Sequence, residues 1–189
     1  MKRLFLAIPI QTKDNGFAPL LYELKARLSH EKRINWSIPK NIHLTLKFIG
    51  DTYPQDEPKI IEAVSKVVEN HNRFEMDFNR TGVFGSRYAP RVLWLGMQQT
   101  PQQLLDLEED ILTAFDSIGF MRDRQNFVPH ITLGRIKDLC EKQYFWKVTT
   151  AIEQKSYIHQ EVKDIILFQS ILRPEGAIYK VLKKWELNP

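Results

Sequence analysis

His43-Leu44-Thr45-Leu46-Lys47-Phe48-Ile49 and, 87 positions later, His130-Ile131-Thr132-Leu133 share one pattern: His-x-Thr-Leu with an aliphatic residue at x. Side chains alternate faces along a β-strand, so His and Thr two apart point one way and the aliphatic pair points the other. Each stretch therefore offers an imidazole and a hydroxyl on an open face and anchors itself in a core behind.

The surroundings repeat as well. Arg3 to Ile10 (RLFLAIPI) reads as a buried strand, and Leu20, Leu21, Leu24 and Leu28 recur at helical spacing over 19–29. After the first His-x-Thr strand, which Gly50-Asp51 closes, comes a helix to about Asn70 carrying Ile60, Ile61, Val64, Val67 and Val68, then a strand over 74–83. The second half follows the same order. It has a strand at Arg91 to Met97, a helix over 101–117 opened by Pro101, the second His-x-Thr strand, a helix over 140–152, and strands over 157–172 and 177–182. Leu4 and Val92 lie 88 positions apart, close to the spacing of the histidines. Near-equal offsets on separate features point to an internal duplication. The expected fold is α+β and bilobal: two pseudo-symmetric lobes, each with a mainly antiparallel sheet and flanking helices, and an active site in the cleft between them. One domain spans 1–189, with an N-terminal lobe over about 1–86, a C-terminal lobe over about 87–189 and a junction near Gly85 to Pro90. Strands are free to cross over.

Two imidazoles and two hydroxyls on facing lobes suit the cleavage of a phosphodiester. One imidazole must be neutral to take a proton from the attacking water, and the other must be protonated to supply the leaving oxygen. Histidine populates both forms near neutral pH. Threonine hydroxyls can donate to the non-bridging oxygens where charge gathers. The chemistry asks for no metal or other cofactor, and no HExxH, DxD or carboxylate cluster adjoins either motif. Spacing alone does not say which histidine is donor and which acceptor.

Composition sets the outer bounds. Lys plus Arg number 27 against 23 Asp plus Glu, a net charge of +4 that fits an anionic substrate without blocks suited to tracking along a duplex. Cys140 is the only cysteine, so an intrachain disulfide and a multi-cysteine metal site are excluded. The opening MKRLFLAI has the charged start of a signal peptide. Its apolar run meets Gln11 too soon, however, and no small-residue cleavage site follows. A cytoplasmic, membrane-independent protein is expected.

Several stretches together resemble the RNA 2′,3′-cyclic phosphodiesterases, the LigT-like branch of the two-histidine (2H) phosphoesterases, once described as 2′-5′ RNA ligases. They are Arg3 to Ile8, Asn41 to Gly50, Arg91 to Gly96, Phe127 to Arg135 and Leu167 to Ser170, spread over almost the whole chain. The resemblance implies hydrolysis of a 2′,3′-cyclic phosphate, on an RNA end or a small cyclic nucleotide, to a 2′-phosphomonoester. It makes His43 the proton donor and His130 the proton acceptor, with Thr45, Thr132 and Arg135 on the phosphate. It also implies a monomer with no obligatory protein partner. The family commonly has Ala where this chain has Gly134. The same acid and base can run in reverse as a 2′-5′ ligase, although the concentration of water favours hydrolysis. A nucleotide-binding module without turnover is a further alternative, but it would not require two titratable groups.

Parity divides the remaining candidates. Strict alternation sets Arg135 opposite His130, so a phosphate contact there requires a strand end or a bulge, which Gly134 would ease. Lys47 shares the face of His43 and Thr45 and can lend positive potential to substrate. Phe48 falls on the core face, with base stacking as the alternative reading. Trp36 and Phe168 read as packing residues, and His30, His71 and His159 as surface histidines.

Overall fold

A computed structural model describes residues 1–13, 15–122, 126–174 and 176–189. Its element order is β1 (Lys2–Pro9), α1 (Phe17–Arg27), β2 (Ile34–Trp36), β3 (His43–Thr52), α2 (Glu57–Val68), β4 (Phe74–Phe78), β5 (Arg80–Gly85), β6 (Pro90–Gly96), α3 (Gln102–Ser117), β7 (His130–Ile136), α4 (Lys142–Thr150), β8 (Ile158–Val162), β9 (Asp164–Arg173) and β10 (Gly176–Glu186). Two four-stranded antiparallel sheets, ordered β10-β9-β1-β3 and β2-β7-β6-β5, accompany a two-stranded β4-β8 ribbon. The α+β architecture with antiparallel sheets is the one the patterning predicts.

Each helix is amphipathic and turns its apolar stripe inward. Phe17, Leu20, Leu21 and Leu24 are buried on α1, Ile60, Val64 and Val67 on α2, and Leu104, Leu107, Ile111 and Phe115 on α3. They meet Leu4, Leu6, Leu44, Leu93, Ile131 and Leu133 from the strands in one core cluster.

The two central strand pairs have the same register. Along β1 and β3, Pro9 faces His43, Ala7 faces Thr45, Leu6 faces Lys47 and Phe5 faces Phe48. Along β6 and β7, Gly96 faces His130, Trp94 faces Thr132, Leu93 faces Gly134 and Val92 faces Arg135. Every pair in one half maps onto its counterpart by 87 positions. Val92 is thus the equivalent of Phe5, which corrects the 88-position match with Leu4. Leu46 on β3 and Leu133 on β7 are passed over in the pairing, so both strands carry a bulge at the same place, and β3 has a second irregularity at Ile49. A bulge reverses the alternation beyond it.

Other elements depart from expectation. The run 74–83 is two strands in different sheets. It breaks at Asn79, whose backbone N–H donates to Gly96 O at 2.9 Å and whose Oδ1 accepts from Gln98 N at 2.9 Å. The run 157–172 divides at Lys163 into β8 and β9. Strand β2 has three residues, too few to show alternation. Residues 86–89, the expected junction, are the turn of the β5–β6 hairpin inside one sheet. Sheet membership does not divide the chain there: β9 and β10 complete the sheet of β1 and β3, while β2 adds to that of β7. No helix is long and apolar enough to cross a membrane among the described residues.

Candidate active site

His43 and Thr45 from β3, and His130, Thr132 and Arg135 from β7, line one cleft of about 950 Å³ between the two sheets. The motif histidines are fixed in the same way. Nδ1 of His43 lies 2.7 Å from the carbonyl oxygen of Asn41, and Nδ1 of His130 lies 2.7 Å from that of Val128, each two residues upstream. A carbonyl only accepts, so Nδ1 carries the proton in both rings and Nε2 is left as the atom that exchanges protons.

Aromatic side chains cradle each ring. His43 lies 4.8 Å from Phe5 at an interplanar angle of 36°, and 5.2 Å from Tyr179 of β10 at 89°. His130 lies 4.7 Å from Phe84 of β5 at 88°, with Trp94 of β6 at 6.4 Å. Burial pushes both imidazoles below their ordinary titration range, and the Arg135 guanidinium pushes them further the same way. The carbonyl bonds to Asn41 and Val128 oppose this, and the charge of His130 adds to the lowering at His43. Both shifts favour the neutral ring in the free protein. Arg135, His43 and His130 line the same cleft.

The sequence pattern of the LigT-like phosphoesterases matches the chain twice in succession, over residues 13–94 and 95–179. The chain belongs to the LigT-like phosphoesterase family. Curated relatives extend over nearly its whole length. One, named RNA 2′,3′-cyclic phosphodiesterase, from Archaeoglobus fulgidus, is 31% identical across 97% of this chain and 99% of its own. A protein of the same name from Methanothermobacter thermautotrophicus is 28% identical across 98% of both. Among solved structures, LigT from E. coli complexed with 3′-AMP superposes with a TM-score of 0.76 at 24% identity, covering 100% of this chain and 99% of the other. TT0787 of Thermus thermophilus reaches 0.78 at 23%, covering 98% and 97%. At such identities these two structures speak for the fold. The twofold match of the LigT-like pattern mirrors the duplicated strand register.

Within this phosphoesterase, the bulges decide where the ambiguous candidates go. The bulge at Leu133 brings Arg135 back to the face of His130 and Thr132, where it lines the cleft. On β3 the equivalent bulge exchanges the two expected placements. Lys47, expected beside His43, is 3% exposed and turned inward, its Nζ 3.3 Å from Met121 O and 5.7 Å from the centre of the Phe115 ring. Phe48, expected in the core, is 47% exposed and lines the cleft, with the Arg3 guanidinium 5.0 Å from its ring centre. Lys47 is thus withdrawn from the substrate contacts. Trp36 lines the cleft besides packing on the core, whereas Phe168 stacks on Phe5 at 5.2 Å and 20°. His30, His71 and His159 do not line the cleft; His71 pairs with Asp110 at 2.9 Å.

Sequence reasoning assigned nothing to Phe5, Phe84, Trp94 and Tyr179. One signal was available for Trp94. A Cβ on Gly82 of the neighbouring strand would overlap the indole, and a glycine inside a strand often marks such a close approach. Among the described residues no three His, Cys, Asp or Glu side chains gather as a metal site.

Proposed function

We propose that the chain hydrolyses a 2′,3′-cyclic phosphate, on an RNA end or a nucleotide, to a 2′-phosphomonoester without a metal ion. The observation that carries this reading is the matched pair of imidazoles, each with Nδ1 committed to a backbone carbonyl, opening from separate sheets into one cleft that Arg135 influences from β7. The family's relatives named RNA 2′,3′-cyclic phosphodiesterase supply the substrate class.

In the reaction, Nε2 of neutral His130 takes a proton from water as the water oxygen bonds to phosphorus. The bond from phosphorus to the 3′ oxygen breaks, and Nε2–H of protonated His43 gives that oxygen its proton. His43 ends neutral and His130 ends charged, and exchange with solvent restores both. Each proton transfer contributes about 10²–10⁴ in rate. The hydroxyls of Thr45 and Thr132 and the Arg135 guanidinium hold the non-bridging oxygens, where negative charge builds. A bound phosphate anion also favours protonation of a neighbouring imidazole. That offsets the downward pull on His43 and charges it when substrate is in place. The expected setting is the cytoplasm and the expected state a monomer.

Incubating the protein with RNA ending in a 2′,3′-cyclic phosphate in excess EDTA tests this, with the product identified by ³¹P NMR. Turnover to a 2′-phosphate is expected. A 3′-phosphate product would reverse the assignment of the leaving oxygen, and abolition by EDTA would refute metal independence.

A further inference from the structure

The two imidazoles share one kind of backbone hydrogen bond but not the same neighbouring rings. Phe5 of β1 and Val92 of β6 are equivalent by register: Phe5 faces Phe48 and Phe168, and Val92 faces Arg135 and Phe84. Phe5 reaches His43 at 4.8 Å between ring centres with a tilt of 36°, nearer to parallel than any other ring beside either imidazole. Among the described residues it is the one aromatic ring within about 6 Å of either imidazole that is not near-perpendicular to it. Phe168, stacked on Phe5, and Tyr179, edge-on to it at 4.9 Å, hold the ring in place. Val92 brings no ring to His130.

An aromatic face carries negative potential and favours a cation stacked on it. The acid of the pair must hold a proton where burial, Arg135 and His130 all oppose one, and the Phe5 face works against them. We propose that Phe5 is a positioning residue that favours the charged, proton-donating form of His43, and that Val92 in the equivalent place leaves His130 to serve as the base. The inference uses the acid and base assignment above only for its catalytic consequence, because the effect on His43 is measurable without turnover. The charged and titratable groups around His43 on the cleft are Arg135 and His130 of β7, Tyr179 of β10 and Arg3 of β1, and no test below alters them.

A ring–cation contact of this type shifts a protonation equilibrium about 2.5- to 30-fold, or about 0.4–1.5 pH units. The test is an NMR titration of the His43 and His130 rings in the full chain, with Phe5 replaced by Leu or by pentafluorophenylalanine. Leucine keeps the site apolar without a ring. Pentafluorophenylalanine keeps the ring's shape but reverses the polarity of its face, so it reports even if Phe5→Leu folds poorly. Both changes should lower the His43 midpoint by about 0.4–1.5 pH units and leave His130 in place, and the alkaline limb of kcat/KM should fall with His43. Phe5→Tyr, which retains the ring, should titrate like the parent. A His43 midpoint that is unchanged or higher with pentafluorophenylalanine overturns the proposal, whatever the variants do to turnover.

Discussion

The β1–β3 pair and the β6–β7 pair are two versions of one device. Both bear a histidine and a threonine two apart, a leucine bulge after the threonine, and an imidazole fixed by the carbonyl two residues upstream. Beyond the bulge they diverge. The first position past it holds Lys47 on β3, extended towards Phe115, but Gly134 on β7, where Trp36 of β2 lies alongside. The second holds Phe48 in one half and Arg135 in the other, both open to the cleft. The repeat thus holds two equivalently placed imidazoles, and the residues just past the bulges differ between the halves. At the second of these positions the β7 half carries a guanidinium and the β3 half a ring.

The comparison is broken most severely at the histidines. His43→Ala and His130→Ala should each lower kcat by about 10²–10⁴ while folding normally, and the double variant should lose little more, because a half-completed proton relay already fails. Near-parental turnover by either single variant would show that the two halves do not act together.

Arg135 is the next largest difference between the halves. Arg135→Met should lower kcat/KM by about 10- to 150-fold, the worth of a charge-assisted hydrogen bond to the phosphate. It should also move the pH profile. Burial and, to a lesser degree, the guanidinium lower both imidazoles, so both limbs of the kcat/KM bell lie on the acid side of free imidazole, and removing the charge should carry them part of the way to higher pH. A profile that stays in place would mean that Arg135 does not face the pair.

The smallest effect concerns the bulge neighbours. A Cβ on Gly134 would stand 3.0 Å from Ile34 Cγ2 and 3.2 Å from Trp36 Cε3, so the strand beside β7 tolerates little bulk. Gly134→Val should cost about 1–3 kcal/mol in a denaturant titration through overpacking. An equally apolar change at Lys47, which pairs with Leu6 of β1 on an edge strand rather than lying between two strands, should not follow the same trend.

Much of this was legible in the chain. Helical and alternating periodicities placed the helices and central strands within a few residues, and the paired His-x-Thr words located the four groups that meet in the cleft. What parity could not give was the side of Lys47, Phe48 and Arg135. A single passed-over leucine reverses the residues that follow it, Lys47 and Phe48 on β3 and Arg135 on β7, and nothing in Leu46 or Leu133 announces it. Gly134 hinted at the irregularity on β7, but β3 has lysine at the same place and gave no hint. The aromatic cradle was equally hidden, since Phe84 and Tyr179 come from strands far along the chain whose neighbours are set by tertiary pairing.

Bridging sulfur in the leaving group tests the division of labour between the two imidazoles most directly. A cyclic substrate with sulfur at the 3′ position expels a thiolate that needs no proton. On it, His43→Ala should recover to near the parental rate while His130→Ala remains impaired. Equal impairment of both variants, or recovery of His130→Ala instead, would contradict the account.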